Sequence, residues 1–360
     1  MTRRLDYPLV MAWILILGLG IVMVSSAGIA KDVDLLPRHA VYLMLALLGF
    51  GVTLVVPLAI WQSTHRLAWI VAVVLCVLVL VPGIGSEVNG ARRWISLGGF
   101  TVQPAEVAKF LLLVYLAGYL ARFDDRMADD AMTLFKPLMM TAVIAGLLLA
   151  QPDFGTAVVL TAAACGLLFM AGARLRHFLG IVAVAGFALA VLAYQQPYRL
   201  SRLITFTDPW AYATDGGYQL TQALIAFGRG ETMGLGLGEG IQKLDYLPEA
   251  HNDFIYAVIA EELGLIGALA VIGLFVFLVL RILRVARLAM QNGRAFAGYL
   301  AYGVALFIGL QYLVNLGVNT GVLPTKGLTL PFVSYGGNSL IVSCALLGLV
   351  CRTHLESDDG

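Results

Sequence analysis

Apolar runs close to the roughly 20 residues that a helix needs to cross a hydrocarbon core recur along almost the whole chain. They lie near 8–28, 40–61, 67–82, 104–121, 137–151, 153–172, 177–195, 253–280, 296–318 and 331–351. Backbone exposed to lipid must satisfy its own hydrogen bonds, so these runs predict about ten transmembrane helices in one all-α polytopic unit covering residues 1–360. The fifth and sixth runs are separated only by Gln151-Pro152, which leaves open a re-entrant pair. One long polar interval, 196–252, stands between the seventh and eighth. The first run is too long for a signal peptide, and no small-residue cleavage site precedes the polar Lys31–His39 loop.

Composition agrees with the pattern. Hydrophobic residues make up 60% and charged residues 12% of the chain, and mean hydropathy is +0.88, values that a water-soluble domain could not carry. The net charge of +1 gives no reason to expect nucleic acid. Cys76, Cys165, Cys344 and Cys351 sit in apolar runs without metal or CxxC spacing, so neither zinc nor a disulfide is expected. Lys and Arg crowd one set of short loops, including Arg3, Arg4, Arg122, Arg126, Arg174, Arg176, Arg281, Arg284, Arg287 and Arg352. The other set holds only Lys31, Arg38, Arg92, Arg93 and Lys326. By the positive-inside rule both termini are cytoplasmic and the 196–252 loop is extracytoplasmic.

That loop ends in Tyr246-Leu-Pro-Glu-Ala-His-Asn-Asp253, which gathers Glu249, His251 and Asp253 ahead of a helix start. Asn252 suits an N-cap and Asp253 a first-turn acid. An ionised carboxylate there is either a helix cap or a general base. Tyr218–Phe227 reads as a helix lying in the membrane interface. Gly234-Leu-Gly-Leu-Gly-Glu-Gly240 imitates a dinucleotide loop but follows no strand, and reads as a flexible, close-packed turn.

Two further segments place polar groups beside apolar runs. In the first, Asn89-Gly-Ala-Arg-Arg-Trp-Ile95 precedes Gln103-Pro-Ala-Glu106 and Lys109. Pro104 suits a helix start, and Glu106 and Lys109 are placed to pair on one face. Such a pair either fixes helix packing or faces a pathway. Arg92 and Arg93 are interface anchors or anion ligands. In the second, Asn315 to Ser339 combines Pro324, Lys326, Pro331 and Ser334 with several glycines, which suggests irregular backbone lining a cavity. Glu261 and Glu262 fall two turns into the eighth helix. On a continuous helix at most one of them faces the side of Asp253, about 12 Å away, and hydrogen bonding within the bundle is the favoured reading for both. Asp32-Val-Asp34 has a DxD spacing but reads as solvated loop.

Together, Gly90-Ala-Arg-Arg-Trp-Ile95, Gln103-Pro-Ala-Glu106, Gln151-Pro-Asp-Phe-Gly155, Pro324-Thr-Lys-Gly327 and Ser334-Tyr-Gly-Gly337 resemble the SEDS family (shape, elongation, division and sporulation) over nearly the whole chain. Within it, Tyr218-Gln-Leu-Thr-Gln222 and Leu247-Pro-Glu-Ala-His251 resemble the division-specific FtsW branch more than the RodA branch, where an arginine is usual at the position of Ala250. Asn252 departs from a commoner threonine. The resemblance implies a peptidoglycan glycosyltransferase that polymerises lipid II at the outer face of the bacterial cytoplasmic membrane during septal wall synthesis. It implies a class B penicillin-binding protein (an FtsI-like transpeptidase) and other division proteins as partners. Asp253 would be catalytic, and Arg92, Arg93, Glu106, Lys109, Glu249, His251, Lys326 and Ser334 would bind substrate. No cofactor is certain, and a divalent ion, Mg or Mn, is a candidate. A lipid II flippase and a noncatalytic divisome scaffold are the alternatives.

Overall fold

The computed structural model describes residues 5–28, 35–88, 91–98, 100–126, 131–174, 205–325 and 327–357, with isolated positions between 176 and 194. Its helices are α1 (Tyr7–Gly28), α2 (Leu35–Val55), α3 (Leu58–Ser63), α4 (His65–Leu78), α5 (Pro104–Phe123), α6 (Ala131–Ala150), α7 (Phe154–Met170), α8 (Tyr218–Gly230), α9 (Ile255–Gln291), α10 (Ala295–Asn319) and α11 (Gly337–Ser357). Among the described residues α1, α2, α5, α6, α9, α10 and α11 are long and apolar enough to cross a membrane, and α4 and α7 are shorter apolar helices. The chain is an all-α multi-pass membrane protein. The expected span 177–195 lies largely outside the described residues, as do Lys31, Asp32, Asp34, Asn89, Gly90, residues 196–204 and Lys326.

Helix boundaries moved where local chemistry overrode hydropathy. The expected run 40–61 breaks before Pro57, because proline disfavours helical geometry in the residue ahead of it. The last helix begins at Gly337 instead of 331, since Phe332 adopts a left-handed φ of 65° just after Pro331. Helix α9 counts 37 residues with a break at Gly264; its part after the break, 265–291, runs about 40 Å at about 1.5 Å per residue, longer than a hydrocarbon core of about 30 Å, and carries Arg281, Arg284 and Arg287 toward its far end. Helix α5 starts at Pro104 as expected.

Between α4 and α5 lies an element that the apolar pattern does not foretell. Strands β1 (Gly85–Val88), β2 (Ala91–Leu97) and β3 (Phe100–Val102) form an antiparallel sheet in the order β1-β2-β3. Glu87 pairs with Arg92 across it, past a bulge at Ser86/Glu87. The sheet, α8, the C-terminus of α10 and the start of α11 all lie at one end of the bundle, here called the loop end. Helix α5 is the most buried of the described spans. It packs against α4 and α10, while α10 also touches α7, α9 and α11, and α2 lies along α11.

The Gly234–Gly240 turn has a specific architectural use. Helix α9 is broken at Gly264 (φ 68°, ψ −170°), which leaves backbone groups unpaired at membrane depth, a costly arrangement unless something satisfies them. The loop does so. Leu235 and Gly236 N–H donate to the carbonyls of Glu261 and Glu262, both at 3.0 Å, while Leu265 and Ile266 N–H donate to Glu231 (2.9 Å) and Thr232 (3.2 Å). A β-carbon on Gly234 would lie 2.2 Å from the Glu262 carbonyl oxygen, and one on Gly264 would lie 2.2 Å from the Gly234 nitrogen. The turn is close-packed, as expected, but it is pinned to α9 by these four bonds, which corrects the expectation of flexibility.

Candidate active site

Asp253 sits at the loop end immediately before α9. The helix starts at Ile255, and neither Asn252 nor Asp253 caps it, because residues 249–254 fold into a turn of their own. Asn252 and Phe254 N–H both bond the Glu249 carbonyl, at 3.0 and 3.3 Å, and Glu249 takes a left-handed φ of 56°. The cap comes from another helix: Asn319 Oδ1 accepts the Ala257 N–H at 3.1 Å.

Three successive carbonyls of this turn are held from outside. His251 O accepts the Tyr335 N–H at 2.9 Å. Asn252 O accepts the Ser334 hydroxyl at 2.7 Å, and that hydroxyl in turn accepts the Leu330 N–H at 2.7 Å. Asp253 O accepts Nδ2 of both Asn315 and Asn319, each at 2.9 Å. The backbone is therefore fixed, while Asp253 as a residue stays partly exposed. Gly327, at φ 68°, borders it so closely that an added β-carbon would lie 3.3 Å from Asp253 Oδ2. The Tyr335 ring lies between His251 (centroids 5.6 Å apart) and His39 (5.9 Å). Burial, helped by Tyr42 and opposed by Arg38, raises its phenol pKa and keeps it protonated.

A buried polar chain runs beneath. Lys109 Nζ lies 2.8 Å from Glu106 Oε1, and both side chains are almost wholly buried. Lys109 also donates to Gln311 Oε1 at 3.2 Å. Gln311 Nε2 donates to the Thr329 carbonyl at 3.0 Å and reaches Ser339 Oγ at 3.3 Å. Gln311, Asn315 and Asn319 are spaced by four on α10, so the ion pair lies about one helical turn deeper than the Asn315 contact to Asp253. The expected Glu106–Lys109 pairing is present; among the described residues the buried Glu106 Oε2 has no hydrogen-bond partner.

The remaining candidates divide by location. Arg92 pairs with Glu87 at 3.0 Å on the sheet and is partly exposed. Arg93 donates from Nε to the Gln151 carbonyl at 3.0 Å and from Nη2 to the Pro152 carbonyl, tying the sheet to the α6–α7 junction. Glu249 is exposed and His251 half-exposed. Ser334 is buried and spends its hydroxyl on the turn. Lys326 lies outside the described residues.

Glu261 and Glu262 are both buried and hydrogen-bonded within the bundle, as the sequence favours. They serve the loop. Glu261 receives Arg229 Nε at 3.0 Å and the Ile241 N–H at 3.1 Å, whereas Glu262 receives Lys243 Nζ at 2.6 Å and the Ser26 hydroxyl at 2.7 Å. Gln311, Asn319 and Lys243 were not singled out from the sequence. The four-residue spacing of Gln311, Asn315 and Asn319 on an otherwise apolar helix is the signal that could have found the first two.

Among the described residues no group of three or more His, Cys, Asp or Glu side chains is placed to hold a metal ion.

Fold and site define a multi-pass membrane protein with a carboxylate centre set into one end of its helical bundle. The chain belongs to the FtsW/RodA/SpoVE family of cell cycle proteins, whose model matches residues 7–359. It is 49% identical to the probable peptidoglycan glycosyltransferase FtsW of Pseudomonas fluorescens, over 98% of this chain and 88% of that one. It is 50% identical to the corresponding protein of Nitrosococcus halophilus, over 99% and 94%. Among solved structures it resembles a chain of a peptidoglycan synthase complex that coordinates polymerization and crosslinking (TM-score 0.83, 32% identity, 99% of both chains). It also resembles the rod shape determining protein RodA of Thermus thermophilus (TM-score 0.74, 32% identity, 98% and 97%). The higher identity to FtsW proteins agrees with the branch that the loop motifs indicate.

Proposed function

We propose that the chain is a peptidoglycan glycosyltransferase of septal wall synthesis, joining lipid II units at the outer face of the cytoplasmic membrane with Asp253 as general base. The observation that carries the mechanism is Asp253, a partly exposed residue on a turn whose three successive carbonyls are held by Tyr335, Ser334, Asn315 and Asn319. A base must be reachable by substrate yet held in place, and this arrangement supplies both.

Asp253 takes the proton from the acceptor sugar hydroxyl as that oxygen attacks the donor's anomeric carbon and the bond to the lipid pyrophosphate breaks. Glycosidases need a second carboxyl group to protonate a poor leaving group. A pyrophosphate needs only charge neutralisation. Arg92, partly exposed on the sheet, and Lys326, next to Gly327, provide that charge. Arg93 is held by the Gln151 and Pro152 carbonyls and Lys109 by Glu106 and Gln311. A single displacement inverts the anomeric centre, from an α-linked donor to a β-linked strand.

Similarity to the synthase complex supports a crosslinking penicillin-binding protein as partner, membership of a cell cycle family supports a septal location, and the bias of Lys and Arg toward one set of short loops supports cytoplasmic termini. The test is incubation of purified protein and partner, the partner's transpeptidase blocked, with labelled lipid II in detergent. Long glycans are expected. Detergent removes sidedness, so a flippase or a scaffold would leave the lipid II monomeric, and that outcome would overturn the proposal.

A further inference from the structure

We infer that Asn315 and Asn319 are positioning residues for glycosyl transfer, acting through the main-chain carbonyl of Asp253; the inference rests on the reading of Asp253 as the base. Both amides are almost completely buried, at 1% and 0% exposure, in a helix where leucine would pack as well, so their polarity needs a use. Each is fully occupied. Asn319 Nδ2 donates to Asp253 O and to Asn315 O, both at 2.9 Å, while its Oδ1 accepts the Ala257 N–H at 3.1 Å. Asn315 Nδ2 donates to Asp253 O at 2.9 Å and to Leu328 O at 2.6 Å.

The consequence is geometric. One carbonyl takes both amide donors, so the peptide plane that follows the Asp253 α-carbon is fixed, and only the side-chain torsions remain to aim the carboxylate. The same Asn315 amide holds Leu328, the residue after Gly327, which borders the carboxylate. Asn315 therefore sets the spacing between the base and the wall opposite it. Asn319 also satisfies the first turn of α9, so the base and the start of its helix move as one unit. Misplacement of a reacting group by about 1 Å can cost about a hundredfold in rate.

The test compares kcat and KM for labelled lipid II polymerisation, with partner present, in the parent and in Asn315→Ala, Asn319→Ala and Asn319→Asp. The last is isosteric and keeps the acceptor for Ala257, but turns the two donors into an oxygen facing two carbonyls. Elution profile and melting temperature establish folding for each, so Asn315→Ala carries the test if a variant at 319 does not fold. The expectation is a kcat reduced at least about tenfold with KM within about threefold, and Asn319→Asp no better than Asn319→Ala. A kcat within threefold of the parent in a folded variant, or a loss confined to KM, overturns the inference. A parent that makes no glycan would overturn the functional reading instead.

Discussion

Lys243→Met tests how the long loop is anchored to α9. The Lys243 ammonium is buried and bonds Glu262 Oε1 (2.6 Å), Ser26 Oγ (2.7 Å) and the Gly238 carbonyl (2.7 Å). Removing one partner of a buried pair costs about 3–5 kcal/mol, chiefly because the other charge is left uncompensated. Glu262 would retain the Ser26 hydroxyl and the Gly238 N–H at 3.0 Å, which places the expected loss near the lower end, about 3 kcal/mol. Replacing both members with apolar groups leaves no stranded charge, so Lys243→Met with Glu262→Leu should be more stable than Lys243→Met alone. The assay is thermal unfolding of the four proteins of this cycle in detergent, paired with limited proteolysis at 231–247. A Lys243→Met protein that melts with the parent, with no coupling between the two positions, would refute the reasoning.

Other substitutions separate structural from chemical roles. Gly327→Ala forces a β-carbon into a left-handed backbone, at roughly 1–2 kcal/mol, and to 3.3 Å from the Asp253 carboxylate; it should lower kcat several-fold in a steady-state polymerisation assay, and an unchanged kcat would count against Gly327 as a wall of the site. Ser334→Ala strands the Asn252 carbonyl and the Leu330 N–H, and should lower stability by about 1–3 kcal/mol in the same melting experiment. Arg92→Ala breaks only a partly exposed pair and should change stability by less than about 1 kcal/mol while raising the lipid II KM; an unaltered KM would remove Arg92 from the phosphate site.

The spans were legible because a bilayer demands long apolar runs, and the Glu106–Lys109 pair because a three-residue spacing on a helix leaves two opposite charges little else to do. Asp253 stood out as an acid ahead of an apolar run. Its support was harder to read. Capping logic pointed to Asn252, but the cap comes from Asn319, 62 positions beyond the Ala257 N–H that it accepts, and local sequence does not announce a contact of that range. The sheet at 85–102 has strands of four, seven and three residues, too short and too charged to show a clear alternation. Gly264 looks like any glycine in an apolar helix, and only the opposing carbonyls of Glu261 and Glu262 explain the turn at 234–240. Nothing in the local sequence marks Lys243, whose partners Glu262 and Ser26 lie on other elements.

The most direct test is the polymerisation rate of Asp253→Asn with its crosslinking partner and labelled lipid II, measured beside lipid II binding by the same preparation. The substitution keeps the size of the side chain and the backbone bonds to Asn315 and Asn319 while removing the basic oxygen. The account predicts bound lipid II and no glycan. Full-length strands formed at the parent's rate would contradict it.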